Sequence, residues 1–203
     1  DGIRDTSVTG VQTCALPIFA DEYINSVIRE KKFDIDLISK KLKIDSSIIK
    51  TLFPYSDEIN KLEYLKLFNS KIDDEILILL NKEIRDEDAT YFEKILEAFF
   101  IKFENLDKYK KALIFLSSKK RDKFLNFLIL NNQNHKFILK LMKCCGDKDP
   151  YFKLNIKATL LNSLYIKNLN ELLNRKEITI DKIMSNLDKD LKKVFELPFL
   201  FKN

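Results

Sequence analysis

Between Phe19 and Asn203 the chain holds a single glycine, Gly146, and three prolines, Pro54, Pro150 and Pro198. A backbone this poor in residues that accept positive φ or reverse direction tightly has few ways to build hairpins. Sandwiches and meanders of short strands are therefore disfavoured on turn chemistry alone. The same shortage removes the glycine-dependent phosphate sites, since neither a G-x-G-x-x-G fingerprint nor a P-loop occurs. Apolar residues make up 45% of the chain and charged residues 33%, which suits a packed protein rather than a disordered one. No apolar run reaches the roughly eighteen residues that a membrane-spanning helix requires. The predicted fold class is all-α.

Residues 1 to 18 read DGIRDTSVTGVQTCALPI and differ in kind from the rest of the chain, with two glycines, Gly2 and Gly10, and no lysine. The segment resembles, residue for residue, the translation of a short-read sequencing-library adapter, DGIRD being its stem, Thr6-Ser7 an index and VTGVQTCALPI a primer site. It is set aside as artefactual, together with Cys14. The expectation is that the native N-terminus, and any targeting peptide on it, is missing. The remaining 185 residues carry 35 basic and 29 acidic side chains, and of the basic ones only Arg29, Arg85, Arg121 and Arg175 are arginine. A positive balance built from lysine in a chain rich in Ile, Asn and Phe reflects AT-rich coding, and it is weak evidence for nucleic acid. The adjacent Cys144-Cys145 fits neither a disulfide framework nor a zinc spacing, so a reducing compartment is expected.

Apolar spacing predicts helices over Asp21 to Lys32 and Asp34 to Lys43, then a turn at Ile44-Asp45. Ser46 or Ser47 caps a brief helix, Ile48 to Phe53, that Pro54 ends. Asp57 to Ile84 carries Ile59, Leu62, Leu65, Phe68, Ile72, Ile76, Leu79 and Leu80 on one stripe. After a charged break at Arg85 to Asp88 come Ala89 to Phe103, Tyr109 to Ser117, Lys123 to Leu130 and His135 to Cys145. The last of these stops at Gly146, a left-handed terminator. A loop at Asp147 to Pro150 precedes Leu154 to Leu173 and the amphipathic Ile180 to Val194. No strand pattern or repeat competes.

The short helix, turn and short helix at Leu37 to Phe53 suits a helix-turn-helix. In the DNA-binding reading Ser46 to Lys50 face the major groove, and Lys40, Lys41, Lys43 and Lys50 reach phosphates. In the structural reading the same helices are a packed three-helix head. The turn position where glycine is usual is Lys43. Catalysis finds little support. His135 is the only histidine and reads as a surface residue, no Glu-x-x-His metal pair exists, and no nucleophilic triad can be built around it. Asp73, Asp74 and Glu75 read as a solvated helix face. No cofactor or metal is expected, and the chain is not expected to be an enzyme.

What remains is apolar excess. Tyr91 to Leu173 holds Phe92, Phe99, Phe100, Phe103, Phe115, Phe124, Phe127, Phe137 and Phe152, enough to bury helices on two sides, in a core, a dimer interface or around an apolar ligand. The C-terminal Phe195-Glu-Leu-Pro-Phe-Leu-Phe201 is too short to span a bilayer but can touch one.

A small helix-turn-helix head before a larger apolar helical body resembles the TetR class of regulators. Within that class, two stretches resemble more closely the ubiquinone-biosynthesis accessory family called "COQ nine". Its head ends in Leu-Phe-Pro, here Leu52-Phe53-Pro54. Its Arg-Ala-Leu segment is matched by Lys111-Ala112-Leu113. Its signature of Gly-Asp, four residues, Phe, then a basic residue, a leucine and a tyrosine is met by Gly146-Asp147, Phe152, Lys157, Leu161 and Tyr165. The family's aromatic pair falls on Leu154-Asn155, its tryptophan on Met142 and an acidic position on Tyr151. The resemblance spans about Ile38 to Leu191.

The resemblance implies a non-enzymatic, lipid-binding accessory protein of ubiquinone biosynthesis that presents isoprenoid quinone intermediates to pathway enzymes. It further implies a homodimer with peripheral membrane contact, on the cytoplasmic face of a bacterial inner membrane or the matrix side of a mitochondrial one. Met142, Asp147, Phe152, Leu154 and Asn155 are the implied docking positions for the pathway hydroxylase. The implied lipid site is an apolar cavity lined by Phe99, Phe103, Leu116, Leu141, Leu161 and Tyr165. The expected organisation is a head over 19–54, a lipid-binding body over 55–195 and an apolar tail over 196–203. The alternative is a TetR-family transcriptional regulator with a small apolar effector.

Overall fold

In the computed structural model, helices begin where the sequence supplies caps and end where it supplies a residue that can leave the α region. The structure describes residues 18–26, 29, 35–43, 45–47, 57–82, 89–117, 123–174 and 178–201. All regular structure among them is helical, with no strand, so the all-α expectation holds. The helices are α1 (18–26), α2 (Ile35–Leu42), α3 (Asp57–Lys82), α4 (Tyr91–Lys108), α5 (Lys110–Ser117), α6 (Lys123–Cys144), α7 (Tyr151–Asn174) and α8 (Ile180–Phe195). The segment over 1–17, the expected helix Ile48 to Phe53, Leu52-Phe53-Pro54 and the break at Arg85 to Asp88 lie outside the described residues.

The described chain divides between Lys71 and Ile72, so α3 contributes its first part to one compact unit and its second part to the other. In the first unit Phe19, Ala20, Tyr23, Ile24, Ile38, Tyr64, Leu65 and Phe68 are buried. The rings of Tyr23 and Tyr64 lie 4.7 Å apart, and Lys41 pairs with Glu22 while Lys71 pairs with Asp21. α2 ends at Lys43, whose φ of 55° is left-handed, at the position where a turn of this kind usually carries glycine. The cap of the next helical residues is Asp45 rather than Ser46 or Ser47. Its carboxylate accepts the Ser47 backbone N–H at 2.8 Å, and that bond holds the carboxyl below its ordinary range.

In the second unit α7 is the central helix, packed on α4, α5, α6 and α8, while α4 also packs on α8. α4 opens with a capping box: Thr90 accepts the Glu93 N–H, and the Glu93 carboxylate accepts the Thr90 N–H at 2.7 Å. Two otherwise orphaned donors are thereby satisfied. The helix starts at Tyr91 and runs to Lys108, more than a turn past the expected Phe103. The largest correction concerns α6. Residues expected to form two helices, parted by the polar run Asn131 to Asn134, are one continuous helix, Lys123–Cys144. The asparagines are not a linker, because Asn134 is buried and Asn131 bonds across to α7. α6 then closes as a Schellman turn. Gly146 N–H donates to the Lys143 carbonyl at 3.0 Å, Asp147 N–H to the Met142 carbonyl at 3.0 Å, and Gly146 sits at φ 90°.

Candidate functional site

The expected lining residues come from the apolar faces of α4, α6 and α7. Phe99, Phe103, Leu141, Leu161 and Tyr165 are all buried. Phe99 and Phe103 lie one turn apart on α4, Leu161 and Tyr165 one turn apart on α7, and the Tyr165 ring stands 5.2 Å from that of Phe103 and 6.0 Å from that of Phe99. The side chain of Leu116 lies outside the described residues, as do those of Phe115, Phe124 and Phe127.

This aromatic cluster is not purely apolar. Lys102, between Phe99 and Phe103 on α4, is fully buried. Its ammonium donates to Asp73 Oδ1 on α3 at 2.5 Å and to Asn134 Oδ1 on α6 at 2.7 Å. It also lies 4.2 Å from the centroid of Phe137 and 4.9 Å from that of Tyr165, so the π faces supply the remaining stabilisation. Asn134 passes the network on, donating to Asn162 Oδ1 at 2.6 Å, and Asn162 donates to Asn131 Oδ1 at 2.7 Å. Burial pushes the Asp73 carboxyl up and the Lys102 ammonium down, each opposed by the charge of the other. Burial raises the Tyr165 phenol as well.

Asp73 therefore corrects the expectation that Asp73, Asp74 and Glu75 form one solvated face. Asp74 and Glu75 are exposed, whereas Asp73 is buried against Lys102. The signal is present in the spacing. Asp73 falls within the stripe of Leu65, Phe68, Ile72, Ile76 and Leu80, and Lys102 within that of Ile95, Phe99 and Leu106. A charge at a core position of an otherwise apolar stripe asks for a partner. One turn beyond Tyr165, Asn168 is buried with its amide donating to the Leu164 carbonyl at 2.9 Å and its Oδ1 accepting nothing.

A second charged cluster sits where α6 gives way to α7. Asp147 Oδ2 accepts from Lys157 at 2.7 Å and from the Tyr91 hydroxyl at 3.0 Å. Asp149 Oδ2 pairs with Lys157 at 2.5 Å and Lys153 at 3.0 Å. The hydrogen bond from Lys157 holds the Asp149 carboxyl below its ordinary value, and burial drives the Tyr91 phenol well up. Above this cluster Phe195 packs on Tyr91, Phe92 and Phe201, with centroids 5.7, 5.1 and 4.3 Å apart, and the Phe201 ring covers Lys157 at 5.0 Å.

Of the five positions expected to dock a partner, Met142 and Leu154 are buried in the body and Asp147 is held by Lys157 and Tyr91. Asn155 is half-buried and donates to the Tyr151 carbonyl at 2.8 Å. Phe152 alone presents a large apolar side chain to solvent. His135 is half-buried beside the Thr159 hydroxyl at 3.3 Å. Cys144 is exposed, Cys145 is half-buried with its thiol pushed up to about 12 by burial, and both are free. Among the described residues no group of three or more His, Cys, Asp and Glu is placed to hold a metal, and no helix is long and apolar enough to cross a membrane. Compared with protein families, curated proteins and solved structures, the chain matches none of them.

Proposed function

We propose that the chain is a non-enzymatic, lipid-binding accessory protein of ubiquinone biosynthesis with a TetR-like architecture, a helix-turn-helix head followed by a helical body. The body holds an isoprenoid quinone intermediate among Phe99, Phe103, Leu141, Leu161 and Tyr165 and presents it, as a homodimer at a membrane surface, to the pathway hydroxylase. One observation supports the reading: the Gly146-to-Tyr165 stretch of the resemblance forms one helix end and the helix that follows it. Gly146 ends α6 in a left-handed turn, Asp147 closes onto Lys157 at 2.7 Å, Leu161 and Tyr165 continue along α7 into the aromatic cluster, and Phe152 is left outward. Organic extraction of the purified protein and mass spectrometry of the extract test the reading. A co-purifying prenylated phenol or quinone is the expected result, and a lipid-free protein that also fails to take up such a lipid overturns it.

A second reading, a TetR-type transcriptional regulator, is favoured by the head. α2, the left-handed Lys43 and the Asp45-capped residues 46–47 have the order of a helix-turn-helix. Retardation of a promoter fragment with steep salt dependence by lipid-free protein supports it, and absence of any shift at low salt sinks it.

A further inference from the structure

Cys144 and Cys145 are consecutive residues at the last turn of α6, directly before Gly146, and both thiols are free. Cys144 is exposed and Cys145 half-buried, so a small ion can reach the pair from solvent. The backbone beneath them is fixed. Cys145 N–H donates to the Leu141 carbonyl at 2.9 Å, and the Gly146 and Asp147 N–H groups close the turn on the Lys143 and Met142 carbonyls. Geometry disfavours a disulfide between the two. Disulfide-bonded residues usually hold their Cα atoms about 4.4–6.8 Å apart, whereas consecutive Cα atoms are only about 3.8 Å apart. Successive side chains also leave a helix roughly 100° apart. The two sulfurs are therefore kept close to each other without being aimed to bond, and an atom placed between them can join them.

Coordination number narrows the choice of that atom. With metal–sulfur bonds of roughly 2.3 Å, an ion in line between two thiolates holds the sulfurs on the order of 4.6 Å apart. Such two-coordinate dithiolate binding suits a soft monovalent ion, Cu(I), which thiolates select. Zinc asks for four ligands, and among the described residues no group of three or more His, Cys, Asp and Glu is placed to supply them. The carboxylates that follow in the chain, Asp147 and Asp149, are already engaged by Lys157 and Lys153. Charge favours the same ion. The Cys145 thiol is pushed up by burial and then by the neighbouring Cys144, while the ammonium of Lys94 on α4 acts in the opposite direction. A cation between the sulfurs cancels the repulsion of two adjacent thiolates, and the singly anionic complex that results is matched in sign by Lys94.

We infer that Cys144 and Cys145 form a two-thiolate site for Cu(I), with the Lys94 ammonium offsetting the charge of the complex. Two thiols and one Cu⁺ give the bis-thiolate complex and two protons, with no change of oxidation state. The site uses no residue of the aromatic cluster and holds whether or not the body carries a lipid. Cys14 supplies the third thiol of the chain, so the full-length protein is tested with Cys14→Ser. In anaerobic competition with bicinchoninate, a chromogenic Cu(I) chelator, the protein is expected to withdraw one ion per chain. X-ray absorption of the loaded protein is expected to show two sulfur neighbours and no nitrogen or oxygen ones. Cys144→Ser and Cys145→Ser are each expected to weaken capture by at least about a hundredfold, because each removes an intramolecular second ligand. Lys94→Glu is expected to weaken it less, and most at low salt. The X-ray measurement is made on the unaltered pair and does not depend on how the serine variants fold. Capture that survives either serine variant overturns the inference. So does equal displacement by Zn(II), or a loaded protein with three sulfur neighbours or one ion shared between two chains, which marks a bridge between copies instead.

Discussion

Lys102 and Lys157 are both buried beneath aromatic rings and both pair with aspartate, yet their surroundings solve the problem of a buried ammonium differently. Lys102 has one carboxylate, Asp73, and completes its coordination with the amide oxygen of Asn134 and the faces of Phe137 and Tyr165. Lys157 has two carboxylates, Asp147 and Asp149, at a helix end that solvent still reaches. Deep burial with a single counter-charge drives both members of the Lys102 pair towards neutrality, Asp73 up and Lys102 down. At the loop the second carboxylate is held below its ordinary value instead. The interior pair serves as a geometric key among α3, α4, α6 and α7, whereas the loop cluster is a clasp that fastens a turn and the terminal segment.

Breaking the interior key is expected to have the largest effect. Lys102→Ala leaves Asp73 buried without its cation and should lower unfolding stability by about 3–5 kcal/mol in denaturant titration. The double variant Lys102→Met with Asp73→Leu removes both charges and should recover most of that loss, because an apolar pair of similar volume carries no desolvation cost. If the double variant is as unstable as the single one, the network contributes more than charge compensation. Gly146→Ala sharpens the contrast at the clasp. A Cβ there meets nothing within 4 Å, so the expected loss of about 1–2 kcal/mol in the same titration comes from the left-handed φ alone.

Asn168→Leu should move stability the other way. It removes a buried amide oxygen that accepts no hydrogen bond, and a rise in melting temperature corresponding to about 1 kcal/mol is expected. The smallest effect is acid dependence at the clasp. A carboxyl with a lowered folded pKa contributes stability above its ordinary value near 4, and that stability is lost as pH falls through the lowered value. Asp149→Asn should therefore flatten the decline in melting temperature between about pH 5 and pH 2. Asp73, shifted upwards, works in the opposite sense over the range between its raised value and its ordinary one.

Periodicity makes most helices readable, and Gly146 is legible as a terminator because only one residue in the body can adopt its φ without strain. The capping box at Thr90 and Glu93 is equally available, as Thr-x-x-Glu ahead of an apolar run. Polar residues at core positions escape such reading. Asp73 looks like its exposed neighbours Asp74 and Glu75, and Asn131 to Asn134 look like a break in α6, because local composition cannot reveal a partner that lies 28 or 29 residues away. That the aromatic side chains of Tyr151, Phe152 and Phe199 are exposed depends on how the chain around them packs. Pairwise spacing within one helix carries no information about that.

The ladder from Lys102 through Asn134 and Asn162 to Asn131 also bears on how the second unit assembles. Each rung lies on a different helix from the last, alternating among α4, α6 and α7, and the whole ladder forms only with all three helices in place. A partly assembled body would leave a buried amide, or the Lys102 ammonium, short of one of its hydrogen bonds in an apolar surrounding. Species with one helix undocked are thereby raised in energy relative to both the folded and the unfolded ends. The second unit should lose its structure in a single cooperative step, with exchange of the buried amides in α4, α6 and α7 governed by one common opening.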